Sequence, residues 1–173
     1  MIEILCGMIA SGKSTHAKMR AREGWVIINN DDVVNLIHAN EYTLFNNELK
    51  PLYKSVQMHI LYMAIAMGQN VVIDRTNLNV QSRQKWITVG KSLGVEVRAI
   101  SFLKESQKIH ATRRFDSDGR GYSYEQWLEV AKRHNQLWEQ PILSEGFDEI
   151  WSEYEYNTLY KTSKKLVKTK DKS

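Results

Sequence analysis

"IEILCGMIASGKST", residues 2–15, decides how the rest of the chain is read. An apolar run with strand character meets Gly7, and four residues later comes Gly12-Lys13-Ser14. Gly, four residues, Gly-Lys-Ser is the phosphate-binding loop pattern, and it stands where it must, with a strand before it and a helix expected after it. Each residue type has a physical reason. Gly7 and Gly12 let the backbone wrap close to phosphate with its N–H groups turned inward. The amides of Ala10, Ser11 and Thr15 belong to the same cradle, and the helix opening near Lys13 aims its positive end at the anion. Lys13 reaches the β- and γ-phosphates as a point charge, and the Ser14 hydroxyl is the expected ligand of Mg²⁺. ATP and Mg²⁺ are therefore the expected cofactors.

Outward from the loop, short apolar runs alternate with amphipathic stretches. Strands are expected at residues 25–28 ("WVII"), 70–74 ("NVVID"), 95–102 and within 148–154. Helices are expected at 14–22, 33–39, 47–67, 80–93, 105–114 and 123–139. In the long helix Leu52, Val56, His59, Ile60, Met63 and Met67 recur at helical spacing and make one face. Gly94 closes the helix before the fourth strand, and Ser123 with Gln126 forms a capping box. Strands alternating with helices predict an α/β fold, a P-loop NTPase-type parallel β-sheet with helices on both faces, of the adenylate-kinase-like small-kinase kind.

Two strand ends carry carboxylates to the edge where ligands bind in such sheets. "IINNDDVV", residues 27–34, delivers Asp31 and Asp32, one of which can orient an acceptor hydroxyl and take its proton; the other reading of the pair is a cap for the helix after it. Asp74 ends a buried strand in a Walker-B-like place, as a partner of Mg²⁺ or of the acceptor, or as a helix cap. "HATRRFDSDGRG", residues 110–121, puts Arg113, Arg114 and Arg120 at a helix end and in a glycine-flanked loop, a cationic lid suited to phosphate. A guanine-reading Asn-Lys-x-Asp after a strand is absent. "DSDG" at 116 follows a helix, "TKDK" at 169 lies in the tail, and 173 residues are short for an AAA-type module. A small kinase is left, with an ATP-binding switch as the remote alternative.

In order along the chain, "GMIASGKST", "INNDD", "VVIDRTNLN", "RR…GRG" and "WEQPILSEGFDEIW" resemble the kinase domain of the polynucleotide 5′-hydroxyl kinases, the phage and animal DNA/RNA end-healing enzymes, over residues 2–152. The resemblance implies transfer of the ATP γ-phosphate to a 5′-OH end of DNA or RNA with Mg²⁺, so the expected partner is nucleic acid. It implies that Asp31 is the general base, that Lys13 and Ser14 are the phosphate and metal residues, and that Arg113 and Arg120 are lid arginines. Asp74, Arg75, Thr76 and Asn77, with Asp32, are the expected acceptor-side residues. One departure matters: phage-type enzymes carry a phosphate-gripping arginine three places after the catalytic aspartate, and here that place is Val34. Arg75 and Arg83 are candidate substitutes, and Tyr42, Phe45 and Tyr53 could stack a base. The alternative acceptors are a small alcohol, sugar or nucleoside, or a hydroxymethyl base in modified DNA.

The composition, 42% apolar and 25% charged, is that of an ordinary globular domain. No apolar run approaches the roughly 20 residues that span a bilayer, and "MIEILCG" lacks signal-peptide features, so a cytoplasmic protein without membrane contact is expected. Cys6 is the chain's one cysteine and should end a buried strand. The net charge of +4 comes from residues 161–173, a stretch with six lysines and one aspartate that leaves −1 on the rest. That tail is expected to be disordered after a kinase domain at 1–160.

Overall fold

The computed structural model describes residues 1–117 and 121–159. The expectations for Arg120 and for the lysine-rich tail lie outside the described residues. Eleven elements build the sheet and its cover: β1 (Ile2–Cys6), α1 (Lys13–Ala21), β2 (Val26–Asn29), α2 (Asn30–Ile37), α3 (Lys50–Ala66), β3 (Val71–Asp74), α4 (Val80–Ser92), β4 (Val97–Ser101), α5 (Gln107–Ser117), α6 (Tyr124–Leu137) and β5 (Glu149–Ser152). The strands lie in the order β2-β3-β1-β4-β5 and every pairing is parallel, with Ile2 opposite Val71 on one side and Val97 on the other. This is the expected α/β architecture. β1 is wholly buried because it is central, which is why it reads as an unbroken apolar run apart from one glutamate.

That glutamate follows from strand alternation. Ile2, Ile4 and Cys6 point to one face and pack on Leu61 and Ala64 of α3 and Trp86 and Ile87 of α4. Leu5 points to the other face, onto Ala17 of α1 and Tyr156. Glu3 shares the Leu5 face with no exposure at all. A buried carboxylate needs partners, and α1 supplies them: Arg20 donates from Nη2 at 2.5 Å and from Nε at 3.1 Å, and His16 Nε2 lies 2.5 Å from Oε1. Burial alone would raise the Glu3 carboxyl, but these bonds outweigh it and hold it below its ordinary value. The cluster ties α1, the helix that carries Lys13, to the central strand.

Two local expectations change. The stretch at 47–67 opens as a short 3-10 turn at Asn47–Leu49, after another at Tyr42–Leu44, and α3 starts only at Lys50. Its buried residues are Tyr53, Gln57, Leu61 and Ala64, about one position on from the expected face, whose Leu52, Met63 and Met67 are exposed. The reason is the neighbour on the other side: Tyr53 turns inward to pack on Val33 and Val34 of α2, with its hydroxyl 2.7 Å from His38 Nε2. The second change is at the aspartate pair. α2 begins at Asn30, capped by Asn29, whose Oδ1 accepts from the Asp31 amide at 2.8 Å. Asp31 and Asp32 thus lie in the first helical turn, where carboxylates complement the helix dipole.

Candidate active site

The P-loop, residues 7–14, leaves the end of β1 and closes onto α1. Gly7 has no room for a side chain: a Cβ there would sit 2.7 Å from Ser11 Oγ and 2.9 Å from Phe102 Cβ. Gly12 caps α1 with φ of +100°, a conformation that L side chains rarely adopt. The Gly7 amide donates to the Thr76 carbonyl at 2.9 Å, which joins the loop to the segment after β3. Lys13 is buried and curls back over its own loop, donating to the carbonyls of Gly7 (3.0 Å) and Met8 and to Ser11 Oγ (3.2 Å). Burial pulls its ammonium down to about 8, against the opposing pull of Asp74.

A cavity of about 280 Å³ opens in front of this loop. Ala10, Lys13 and Ser14 line it from the P-loop, Asn29, Asn30 and Asp31 from the end of β2 and the start of α2, and Asp74, Arg75 and Thr76 from the end of β3. Parallel strands β1, β2 and β3 all end at this edge, and that is why residues 13, 31 and 74 meet. Asp74 is nearly buried and accepts from Asn29 Nδ2 at 3.1 Å, which fixes its position against β2. Another cleft, of about 430 Å³, lies along the same loop, lined by Ser11, Gly12, Thr15, Arg113 and Arg114. Arg113 pairs with Glu105. Arg114 reaches both spaces, its guanidinium 5.0 Å from the centre of the Trp127 ring.

Some expected residues are not in the cavity. Asp32 is largely exposed and does not line it; the partial desolvation of its carboxyl, then Asp74 and Asp31 nearby, raises it above the ordinary value. Asn77 is buried and structural: its amide donates to the carbonyls of Leu5 (2.8 Å) and Arg75 (3.3 Å), pinning the end of β3 to β1 at a φ of +43°. Arg83 is fully buried in a bidentate pair with Glu145, and its remaining donors go to the carbonyls of Asn77 and Glu139. It cannot serve an acceptor. Val34 has no exposure and belongs to the α2–α3 core, so no ligand meets that position.

Sequence reasoning missed Trp127. It comes from α6, far along the chain, yet it lines the main cavity beneath Arg114, with its Nε1 buried and unbonded. Its spacing is that of an ordinary core tryptophan, and only the packing of α6 on α5 brings it to the P-loop. Behind it His134 is held neutral, pulled down to about 4 by burial and then by Lys13, Arg133 and His110.

The donor set fits Mg²⁺. That ion keeps several waters and takes one or two protein oxygens beside nucleotide phosphates. The exposed Ser14 hydroxyl and the Asp74 carboxylate in one cavity are such oxygens. Among the described residues no group of three or more His, Cys, Asp or Glu is placed to hold a metal by itself.

A family model described as an AAA domain matches residues 2–115, from β1 through most of α5. The chain belongs to the AAA domain family. The length argument against an AAA-type module is thereby overturned, because the match takes up residues 2–115 and fits within this chain. Within that span lie the P-loop, Asp31, Asp74, Arg113 and Arg114. A protein described as a bifunctional polynucleotide kinase/RNA ligase, from Autographa californica nuclear polyhedrosis virus, is 37% identical over 94 residues, which is 48% of this chain. The chain spans 13% of that viral protein's length. Among solved structures, a candidate kinase from Chloroflexus aurantiacus superposes with a TM-score of 0.64 at 14% identity, covering 97% of this chain and 96% of its own. Shikimate kinase from Bacteroides thetaiotaomicron does so with a TM-score of 0.55 at 11% identity, covering 97% and 98%. These identities establish the fold: this AAA domain has the architecture of a P-loop kinase. Among the described residues no helix is long and apolar enough to cross a membrane.

Proposed function

We propose that the protein transfers the γ-phosphate of ATP to a 5′-hydroxyl end of DNA or RNA. The observation that carries this reading is the shared cavity, which is lined by the P-loop lysine and serine and by Asp31. Lys13 leaves its own carbonyls and moves onto the β- and γ-phosphates, and the loop amides complete the cradle. Mg²⁺, when held by Ser14 with Asp74 behind it, supplies charge neutralisation at the phosphates. The apolar cleft of about 590 Å³ between Phe102, Leu103 and Tyr154 adjoins the loop and offers the nucleobase a place. Asp31 accepts the proton of the acceptor hydroxyl as the new oxygen–phosphorus bond forms. The bond from the γ-phosphorus to the β–γ bridging oxygen breaks, and ADP leaves. Arg114, held against Trp127, and Arg113 stabilise the equatorial oxygens.

The polynucleotide acceptor is supported by the matched viral protein's description and by the ordered motifs of the 5′-hydroxyl kinases. Transfer from γ-labelled ATP to 5′-OH DNA and RNA oligonucleotides, a duplex with hydroxymethyl bases, and a pool of alcohols, sugars and nucleosides tests it. Label on a 5′ end is expected. Label confined to internal bases or to small molecules would overturn the polynucleotide end as acceptor and keep only the kinase.

A further inference from the structure

A second cavity, also of about 280 Å³, shares Asn30 and Arg75 with the first. Its chemistry is unlike that of the first. Lys50 and Lys54 come to it from α3, Lys85 from α4 and Arg75 from the end of β3. Among the described residues no carboxylate lines it, and none of the three lysines makes an ion pair. Burial, then Arg75 and Lys54 beside it, pulls the Lys85 ammonium down to about 8. Four cations from three separate elements around one space repel each other, and a fold keeps such an arrangement where an anion is to be held. Arg75 is aimed by a buried relay: Gln57 accepts from Arg75 Nη1 at 2.8 Å and donates to Asn30 Oδ1 at 3.1 Å. Asn30 in turn is the residue before Asp31. Phe45 and Tyr53, stacked with ring centres 5.6 Å apart, supply an aromatic side to the same space.

We propose that this second cavity is a phosphate site for the acceptor. Lys54, Arg75 and Lys85, with Lys50 beside them, hold the phosphate next along the acceptor from the hydroxyl that Asp31 faces, and Phe45 offers a surface to its base. The acceptor is then a nucleotide or a strand of them, and a neutral alcohol lacks the grip. The inference rests on the reading of Asp31 as the residue facing the acceptor hydroxyl. It concerns a group on the acceptor that the transfer step itself does not touch.

The test is a steady-state comparison of acceptors that differ by one phosphate, thymidine against thymidine 3′-phosphate and glycerol against glycerol phosphate, for the wild type and for Lys54→Met and Lys85→Met. Lys54 is exposed and Lys85 half-buried, its ammonium 4.4 Å from the centre of the Trp86 ring, and methionine keeps most of either stem, so both variants should melt close to the wild type. Losing one charged contact to phosphate should raise KM for thymidine 3′-phosphate by about tenfold or more, with kcat, KM for ATP and turnover of thymidine within about twofold. An unchanged KM, or an equal rise for thymidine, overturns the site. Lysine-dependent turnover of glycerol phosphate with none of thymidine 3′-phosphate keeps the phosphate site and overturns the nucleotide acceptor. If no acceptor is turned over, the proposed activity fails by itself, and titration of thymidine 3′-phosphate into the ADP-saturated protein decides the cavity. Binding lost in Lys85→Met supports the site, and no binding by the wild type overturns it.

Discussion

The two walls of the active-site cavity are built on opposite plans. On the P-loop wall the polar groups are engaged within the protein: Lys13 is bonded to its own loop, Gly7 to Thr76, and α1 to β1 through Glu3, His16 and Arg20. The wall made by α3, α4 and the end of β3 presents four cations, Lys50, Lys54, Lys85 and Arg75, to a space that no carboxylate among the described residues lines. On the proposed reading the first wall meets a triphosphate, which is the same for every kinase of this fold, and its internal bonds hold it in place. The second then meets the acceptor, and its charge is held in side chains that can change without disturbing the sheet. Rigidity and specificity are thus assigned to different elements.

The sharpest way to break this contrast is at Asp31. Asp31→Asn should lower kcat by about 10²–10⁴-fold, the contribution of a positioned base, while ATP affinity from equilibrium binding stays unchanged; parallel loss of both would make Asp31 part of the donor wall. Arg83→Met comes next. It strands the buried Glu145 and should destabilise the fold by about 3–5 kcal/mol in a urea melt, with KM for the acceptor unaltered in the folded protein. A selective rise in that KM would return Arg83 to the acceptor wall. Gly7→Ala puts a methyl group against Ser11 and Phe102 and should cost about 1–3 kcal/mol of stability, with weakened nucleotide binding; a variant as stable as wild type would show the loop to be more pliant than its contacts imply. The smallest effect is in pH. Lys13 has its pKa lowered to about 8, and the charged form is the one that attracts phosphate. KM for ATP should therefore be flat below that pH and rise by at most about tenfold per unit above it. A bend near 10.5, or none in the accessible range, would mean that the buried ammonium keeps its proton.

The fold was legible because its signals are local. A P-loop names its own strand and helix, and buried parallel strands announce themselves by composition. That Asp31 and Asp74 lie at one edge was legible because Asp74 ends a strand and Asp31 follows the end of another by two residues, and parallel strand ends share an edge. What was not legible depends on partners distant in sequence. Arg83 and Asn77 look like site residues, since polar groups beside a site motif usually are. Their roles are set by Glu145 and by the carbonyl of Leu5, which no spacing reveals. The face of α3 was displaced by about one residue because α2, not the sheet alone, claims Tyr53. Trp127 and the lysines of the second cavity each sit in an ordinary helical pattern, and only the packing of separate helices gives them a common address.

Cys6 is the last residue of the central strand, immediately before the P-loop, and burial pushes its thiol up to about 12. No other thiol exists in the chain. A small alkylating reagent therefore has one target, and it reaches that target only when β1 parts from its cover. The rate of its reaction, followed with and without nucleotide, reads how tightly a bound phosphate clamps the middle of the sheet, with no probe added to the protein.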